Sequence, residues 1–523
     1  MDIDDLREEH FTGNVAKLHD ATAEHHGDAL AIESHGAELT HAELKAASDR
    51  FAGGLSELGI EEGDAMLVYL PNCPQYIIAS LGAFKAGVPI SPVNPQYKGR
   101  ELTYQLNDSG ADAVLTHEAI RGRLDDVLAE TERDVAVVTV GDEVPEGDTA
   151  FGDVGGEPTM VDADDDDVAI LPYTSGTTGQ PKGVQLTHRN FRAQMCSTMA
   201  SSTNDLDAEE VRSLVWLPLY HITGFTHTAF QPLIAGGAVF LRNPTNWDAD
   251  AAMSLIEEEE ITHYVGVTAM YVDMVESETF GDYDLTSLVS AGEGGAKMSV
   301  AVQQAFEEET GVDISEGYGL TETNGATHAQ TGSTYGLRHG TIGQPLRHTD
   351  CRIVDTEGEE VPAGEEGELL VRGPQVMKGY HNMPEKTEQA FTEDGFFRTG
   401  DIARRDEDNY YEIVDRKKHV IVSAGYNIYP SEVEALIAEH EAVAEAAVVG
   451  IPDERRNEVP KAFVVPARGV EVGEDVTTEE IKQFVLDEIA EYKHPREVEF
   501  VEELPRTASG KIKKYQLRDE DES

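Results

Sequence analysis

Through the first 300 residues of this 523-residue chain, short β-forming runs alternate with stretches of helical periodicity. Met66-Leu-Val-Tyr-Leu70, Ala113-Val-Leu-Thr116 and Val135-Ala-Val-Val-Thr-Val140 are such runs. This alternation restricts the segment to α/β layers. Further runs at Val168-Ala-Ile-Leu171, Leu214-Val-Trp-Leu217, Ala238-Val-Phe-Leu241 and His263-Tyr-Val-Gly-Val267 end in Gly, Pro, Thr or His rather than in plain turns. Strand ends of α/β sheets are where ligands sit, so these ends are candidates for a site. Past residue 340 the texture changes to short strands punctuated by glycine, such as Gly367-Glu-Leu-Leu-Val-Arg-Gly373, which predicts an antiparallel or barrel-like section.

A last unit is expected from about residue 419. Ser431-Glu-Val-Glu434 has capping-box spacing behind Pro430, and Val433, Leu436 and Ile437 open an apolar helical face. Two strand-like runs follow, Ala446-Ala-Val-Val449 and Ala462-Phe-Val-Val465, and Ile481, Phe484, Val485 and Ile489 mark a second amphipathic helix. The expected organisation is therefore a large N-terminal domain over 1–414, made of layered α/β subdomains plus the β-rich section. A hinge at Asp415-Arg-Lys-Lys418 leads into a small α+β C-terminal domain over 419–523.

Charge narrows the setting. The chain carries 100 Asp+Glu against 40 Lys+Arg, a net charge of −60. On an expected folded surface of about 19,000 Å² that is roughly one net negative charge per 300 Å². Such a shell repels itself at low ionic strength and is best tolerated in molar salt, where the Debye length is about 3 Å. The acids are spread along the chain rather than gathered in one tail, which points to a salt-loving host rather than a calcium buffer or a binder of basic partners. Nucleic-acid binding is disfavoured, because it needs a basic patch that this composition lacks. The three cysteines, Cys73, Cys196 and Cys351, form no CxxC pair, so neither a disulfide framework nor a thiolate zinc site is indicated. With an acidic N-terminus unlike a signal peptide and no apolar run of membrane-spanning length, a cytoplasmic protein without an integral membrane segment is expected.

Tyr173-Thr-Ser-Gly-Thr-Thr-Gly-Gln-Pro-Lys-Gly183 is the most informative stretch. Four hydroxyl side chains and two glycines fall within Thr174, Ser175, Gly176, Thr177, Thr178 and Gly179, leaving backbone N–H groups free to converge on an anion, and Lys182 adds a positive charge. It is not the P-loop, because Gln180-Pro181 separates Gly179 from Lys182. The string resembles the phosphate loop of the adenylate-forming superfamily, which comprises acyl-CoA synthetases, aryl-CoA ligases, luciferases and peptide-synthetase adenylation domains. Five more signatures follow in that family's order: Leu217-Pro-Leu-Tyr-His-Ile-Thr-Gly224, Gly317-Tyr-Gly-Leu-Thr-Glu-Thr323, Phe397-Arg-Thr-Gly-Asp401, Asp415-Arg-Lys-Lys-His419 through Gly425-Tyr-Asn-Ile-Tyr-Pro430, and Leu504-Pro-Arg-Thr-Ala-Ser-Gly-Lys511.

The resemblance implies a role for each match. ATP takes its phosphates on Thr174 to Lys182, its adenine on Tyr318 and its ribose hydroxyls on Asp401, with Arg416 touching ribose or phosphate. Thr321 contacts the α-phosphate, and Glu322, with Thr178, holds Mg²⁺. His221 borders the pocket for the carboxylic acid. Lys511 bridges the carboxylate and the α-phosphate as the acyl-adenylate forms, a task that is electrostatic. Lys418 is the pivot of a mobile C-terminal domain whose Gly425 and Tyr426 then guide coenzyme A. The implied activity is an ATP-dependent acid:CoA ligase of the AMP-forming kind. Segments such as Asn94-Pro-Gln-Tyr-Lys98 and Glu101-Leu-Thr-Tyr-Gln-Leu-Asn-Asp-Ser-Gly110 resemble fatty acyl-CoA ligases most, so a medium- or long-chain fatty acid is the expected substrate. An aryl or other carboxylate ligase, and a non-catalytic acyl-nucleotide binder, are the alternatives. Glu293, in the small-residue stretch Ser290-Ala-Gly-Glu-Gly-Gly-Ala296, is awkward in the wall of a purely apolar tunnel.

Overall fold

A computed structural model describes residues 12–131, 133–174, 181–199, 206–295, 298–423, 426–453, 455–506 and 512–519. The chain divides into two compact units, one formed by Met1–Cys351 with Val371–Phe397 and the other by Arg352–Leu370 with Arg398–Ser523. The expected α/β class holds, with a large first unit and a smaller second one. Asp415 to Lys418, the expected hinge, lies inside the second unit, at the end of the strand Tyr411–Arg416 and in the turn Lys417–His419.

Among the described residues the first unit carries two nine-stranded sheets. In one, the strands Ile314–Leu320, Ser290–Gly294, His263–Gly266, Arg212–Val215, Ala238–Leu241 and Leu30–Ser34 run parallel side by side. Gly325–Ala329 and Gln344–Pro345 close one edge in the antiparallel sense, and Ala37–Thr40 closes the other. The second sheet has a parallel series through Val168–Ile170, Ile90–Pro92, Ala65–Tyr69, Ala111–His117, Ala136–Val140 and Thr149–Ala150. Its antiparallel edge is built by Lys182–Thr187, flanked by Tyr173–Thr174 and Gly379–Tyr380.

The sequence explains these layers. Every residue of Ala65-Met-Leu-Val-Tyr69 is buried, the continuous apolar run that a parallel strand covered on both faces requires. The helix Pro74–Ala86 is also almost wholly buried, starting on a proline at its first turn and stopping at left-handed Gly87, φ 70°. It packs on the helix His41–Glu57, and Gly82 makes the approach possible: a Cβ there would lie 2.9 Å from the Ser48 carbonyl oxygen. Phe84, Phe191, Phe225 and Phe230 interlock at the centre of this core, with ring centroids 4.3–6.4 Å apart.

Among the described residues the predicted β-rich section is a four-stranded sheet, Asp350–Val354, Glu366–Arg372, Phe397–Arg405 and Tyr411–Arg416, most of which falls in the second unit rather than in the large domain where it was expected. A five-stranded sheet built around Val443–Asp453 and Asn457–Pro466 follows, with the helices Pro430–Ala438 and Thr478–Glu488. The predicted capping box at Ser431 does not form. The helix starts one residue earlier, on Pro430, so Ser431 is already helical. Its N–H donates to Asp415 Oδ2 at 2.9 Å, while Glu434 accepts from the Val448 N–H and pairs with Lys514 at 2.6 Å. Among the described residues no helix is long and apolar enough to cross a membrane.

Candidate active site

The antiparallel edge of the second sheet carries Thr174 and Lys182, two of the residues expected to take the ATP phosphates. Thr174 and Lys182 are direct partners in the hairpin that leads into and out of the hydroxyl-rich loop. Ser175, Gly176, Thr177, Thr178 and Gly179 lie outside the described residues. The hairpin stem is braced from the helix Gly99–Ser109: Tyr104 Oη donates to the Pro181 carbonyl at 2.8 Å, and Tyr173 Oη donates to Asp108 Oδ2 at 2.7 Å.

On the far side of Lys182–Thr187 the two-residue strand Gly379–Tyr380 pairs with Val184 and Gln185. That register puts the Lys182 ammonium 3.9 Å from the centroid of the Tyr380 ring. The same phenol donates to Glu322 Oε1 at 3.0 Å, and the Met377 N–H donates to the Glu322 carbonyl at 2.8 Å. Burial lowers the Lys182 pKa below the ordinary lysine value, opposed by the Glu322 charge and assisted by Lys386. Burial, then the Glu322 carboxylate, push the Tyr380 phenol far above its ordinary value, so it stays a donor. Lys182, Tyr380 and Glu322 thus form one cluster drawn from three separate segments. Tyr380 is absent from the sequence-based set: Gly379-Tyr380 follows no recognised phosphate motif and is 58 residues from Glu322, so only strand pairing reveals it.

Thr321 and Glu322 sit in a single tight turn, Thr321–Thr323, between the last parallel strand of the first sheet and its antiparallel neighbour. Thr323 fastens the turn, accepting from the Leu320 N–H and donating to the Gly325 carbonyl. Asn324 completes the reversal in the left-handed region, φ 54°. Tyr318, on the strand just before, is half-buried, with its ring edge-on to His328 at 5.9 Å.

His221 is exposed, contrary to a buried structural histidine, and its ring lies 4.6 Å from that of Tyr220. Its carbonyl accepts from the Phe225 N–H at 2.9 Å, at the entrance to a wide π-helical stretch, Thr223–Phe230, a rare geometry that is frequent at functional sites. Asn72 holds the preceding segment through the Leu217 carbonyl and the Leu219 N–H. Glu293 is buried, and Thr268 Oγ1 donates to it at 3.0 Å.

In the second unit Asp401 and Arg416 face each other across neighbouring strands, with Arg416 Nε 2.6 Å from Asp401 Oδ1. Asp401 is buried at 1% exposure, and its N–H donates to Thr399 Oγ1, whose hydroxyl is anchored on the Leu369 carbonyl. Asp415 bonds the N–H groups of Arg416 and Ser431. Burial works against its charge, but His419, these amides and Lys514 outweigh it and hold the carboxyl below its usual range. Tyr426 is exposed and stacks on Tyr492 at 4.8 Å. Gly425 and Lys511 lie outside the described residues.

Comparison with known proteins decides the family. The pattern of the AMP-binding enzyme matches residues 19–381, and that of the AMP-binding enzyme C-terminal domain matches 432–511. The chain belongs to the AMP-binding enzyme family. It is 35% identical to a long-chain-fatty-acid–CoA ligase of Bacillus subtilis (strain 168), over 94% of this chain and 92% of the relative. It is 36% identical to a feruloyl-CoA synthase of Amycolatopsis sp., over 94% of this chain and 95% of the relative. Among solved structures, the anthranilate CoA ligase AuaEII in complex with anthranoyl-AMP superposes with a TM-score of 0.88 at 26% identity, covering 100% of this chain and 99% of that one. ATP-bound MatB from Rhodopseudomonas palustris superposes with a TM-score of 0.86 at 29% identity, covering 97% and 98%. As a family member, this chain is an adenylate-forming enzyme.

Proposed function

We propose that this AMP-binding enzyme joins medium- or long-chain fatty acids to coenzyme A in the cytoplasm of a salt-loving host. The chemistry is that of an AMP-forming acid:CoA ligase, with ATP, a carboxylic acid and coenzyme A as reactants. The observation that carries the phosphate side is the Lys182–Tyr380–Glu322 cluster at the stem of the hydroxyl-rich loop. The similarity to a fatty-acid ligase supports the choice of acid.

In the first half-reaction the loop from Thr174 to Lys182 would take the ATP phosphates, with Thr321 against the α-phosphate, Tyr318 against adenine, and Asp401 and Arg416 at the ribose. Among the described residues no three His, Cys, Asp or Glu gather to hold a metal ion by themselves. Mg²⁺ typically takes one or two carboxylates and completes its shell with substrate phosphates and water. The Glu322 carboxylate, oriented by Tyr380, fits as that ligand, with the Thr178 hydroxyl as a second; the ion would neutralise phosphate charge. His221 borders the acid. Lys511 supplies positive charge as the carboxylate attacks the α-phosphorus, the acyl-AMP forms and pyrophosphate leaves. In the second half-reaction the segment 419–523 turns about Lys418, Lys511 withdraws, and Gly425 and Tyr426 receive the thiol, which displaces AMP to give the thioester. Splitting the two steps between two orientations lets one site serve both.

A second reading, an aryl-acid ligase, is favoured by the buried Glu293 and by the similarity to a feruloyl-CoA synthase. The test is thioester formation with ATP and coenzyme A in molar KCl, across straight-chain acids of increasing length and across benzoates and cinnamates. Turnover peaking at medium or long chains supports the first reading. A peak on hydroxylated aromatic acids supports the second, and no acid-dependent product in a folded sample overturns both.

A further inference from the structure

The turn that carries Thr321 and Glu322 is not held by its own strands alone. Past Glu322 the backbone runs through two consecutive left-handed residues, Asn324 at φ 54° and Gly325 at φ 103°. Adjacent side chains of the π-helical stretch grip this reversal. Thr226 Oγ1 lies 3.4 Å from Asn324 Oδ1, to which it donates, and the Ala326 N–H donates to His227 Nε2 at 3.0 Å. Because Nε2 accepts, the proton sits on Nδ1, which is 3.4 Å from Gln231 Oε1. The ring presses so closely that a Cβ on residue 325 would lie 2.2 Å from Nε2, which leaves glycine as the fitting residue there. From the helix His188–Met199, Gln194 donates to the Ala326 carbonyl at 3.0 Å, and the Asn190 carbonyl accepts from Asn324 Nδ2 at 3.2 Å. His221 stands six residues before His227 on the same segment.

We propose that Thr226 and His227 are positioning residues that fix the Thr321–Glu322 turn against the segment bearing His221, and so align the phosphate side of the reaction with the acid side. The inference rests on the reading of Thr321 and Glu322 as ATP-side groups. His227 acts as a neutral acceptor: what matters is the position of one lone pair opposite one backbone N–H. A glutamine at 227 can place its carbonyl oxygen near the position of Nε2, whereas asparagine is one methylene shorter and leucine has no acceptor.

The experiment compares the full-length wild type with H227L, H227N and H227Q in molar KCl. It measures thermal unfolding and the acid-dependent exchange of pyrophosphate into ATP, with KM for MgATP and for the acid determined separately. H227L and H227N should lose about tenfold in kcat/KM for MgATP, the size expected from orphaning one partly buried amide, with the KM for the acid changed by less than about twofold. H227Q should recover to within about threefold of wild type. The inference is overturned if H227L exchanges like wild type, if H227Q is as impaired as H227L, or if all losses follow the folded fraction. A folded wild type without exchange on any acid overturns the ATP reading and this inference with it, and that result is distinguishable because it precedes any substitution.

Discussion

Tyr380→Phe isolates one bond of the Lys182–Tyr380–Glu322 cluster, which is proposed to face the ATP phosphates. The substitution removes the hydroxyl that donates to Glu322 Oε1 at 3.0 Å and keeps the ring beneath the Lys182 ammonium. A hydrogen bond to a charged group contributes about 1.5–3 kcal/mol. Glu322 is only partly buried, so the lower end applies, about 1.5 kcal/mol, equivalent to roughly a tenfold rise in KM for MgATP. Tyr380→Leu removes the cation–π contact as well, which is worth about 0.5–2 kcal/mol, and should cost several-fold more. The assay is pyrophosphate exchange at saturating acid with MgATP varied. Because burial and the Glu322 charge keep the phenol protonated, the wild-type to Y380F ratio should be flat between about pH 6 and pH 9. A Y380F enzyme with unchanged KM for MgATP, or one whose KM for the acid rises equally, would refute the assignment of Glu322 to the nucleotide.

Three further outcomes are expected. Lys511→Ala should slow acyl-AMP formation far more than thioester formation from preformed acyl-AMP; equal losses in both half-reactions would remove Lys511 from its role. With −60 charges on 23,517 Å² of surface, the melting temperature should climb steeply between 0.1 and 2 M KCl, and a salt-independent melt would contradict the reading of the acidic shell. Burial holds His41, His188, His227 and His263 neutral, with pKa values pushed down to about 4 against 6.5 when exposed, and His328 to about 3. Their contribution is complete above about pH 6.5 and is lost as pH falls toward 4, so melting temperature at fixed molar salt should drop across that window; a level curve there would overturn it.

The parallel strands were readable because their residues obey one rule: a strand covered on both faces must be apolar throughout, and Ala65-Met-Leu-Val-Tyr69 or Ala238-Val-Phe-Leu241 satisfy it without help from distant segments. Motifs were equally plain where the chemistry is contiguous, as in Thr174 to Lys182 or Gly317 to Thr323. The capping box at Ser431 failed for a different reason. Local spacing suggested Glu434 as its own helix's cap, but a buried carboxylate seeks the strongest partner within reach, and Lys514, 80 residues on, supplies it. Tyr380 was hidden by the same kind of distance, since its meaning comes from pairing with Lys182–Thr187 and not from its neighbours in sequence.

These cases share a structural cause. The Thr174–Lys182 hairpin and Gly379–Tyr380 belong to the antiparallel edge of one sheet, and the Thr321–Glu322 turn joins a parallel strand to the antiparallel edge of the other. A parallel interior needs only generic apolar residues, whether its strands are near in sequence, as Ala111–His117 and Ala136–Val140 are, or far apart, as Leu30–Ser34 and Ala238–Leu241 are. At the antiparallel edge formed by Lys182–Thr187, Gly379–Tyr380 is recruited from almost 200 residues away, and this pairing sets a lysine, a phenol and a carboxylate against one another. The hydrophobic pattern that announces the interior is silent about such edges. In this chain the Lys182–Tyr380–Glu322 cluster is assembled where the periodic signal of the fold gives out.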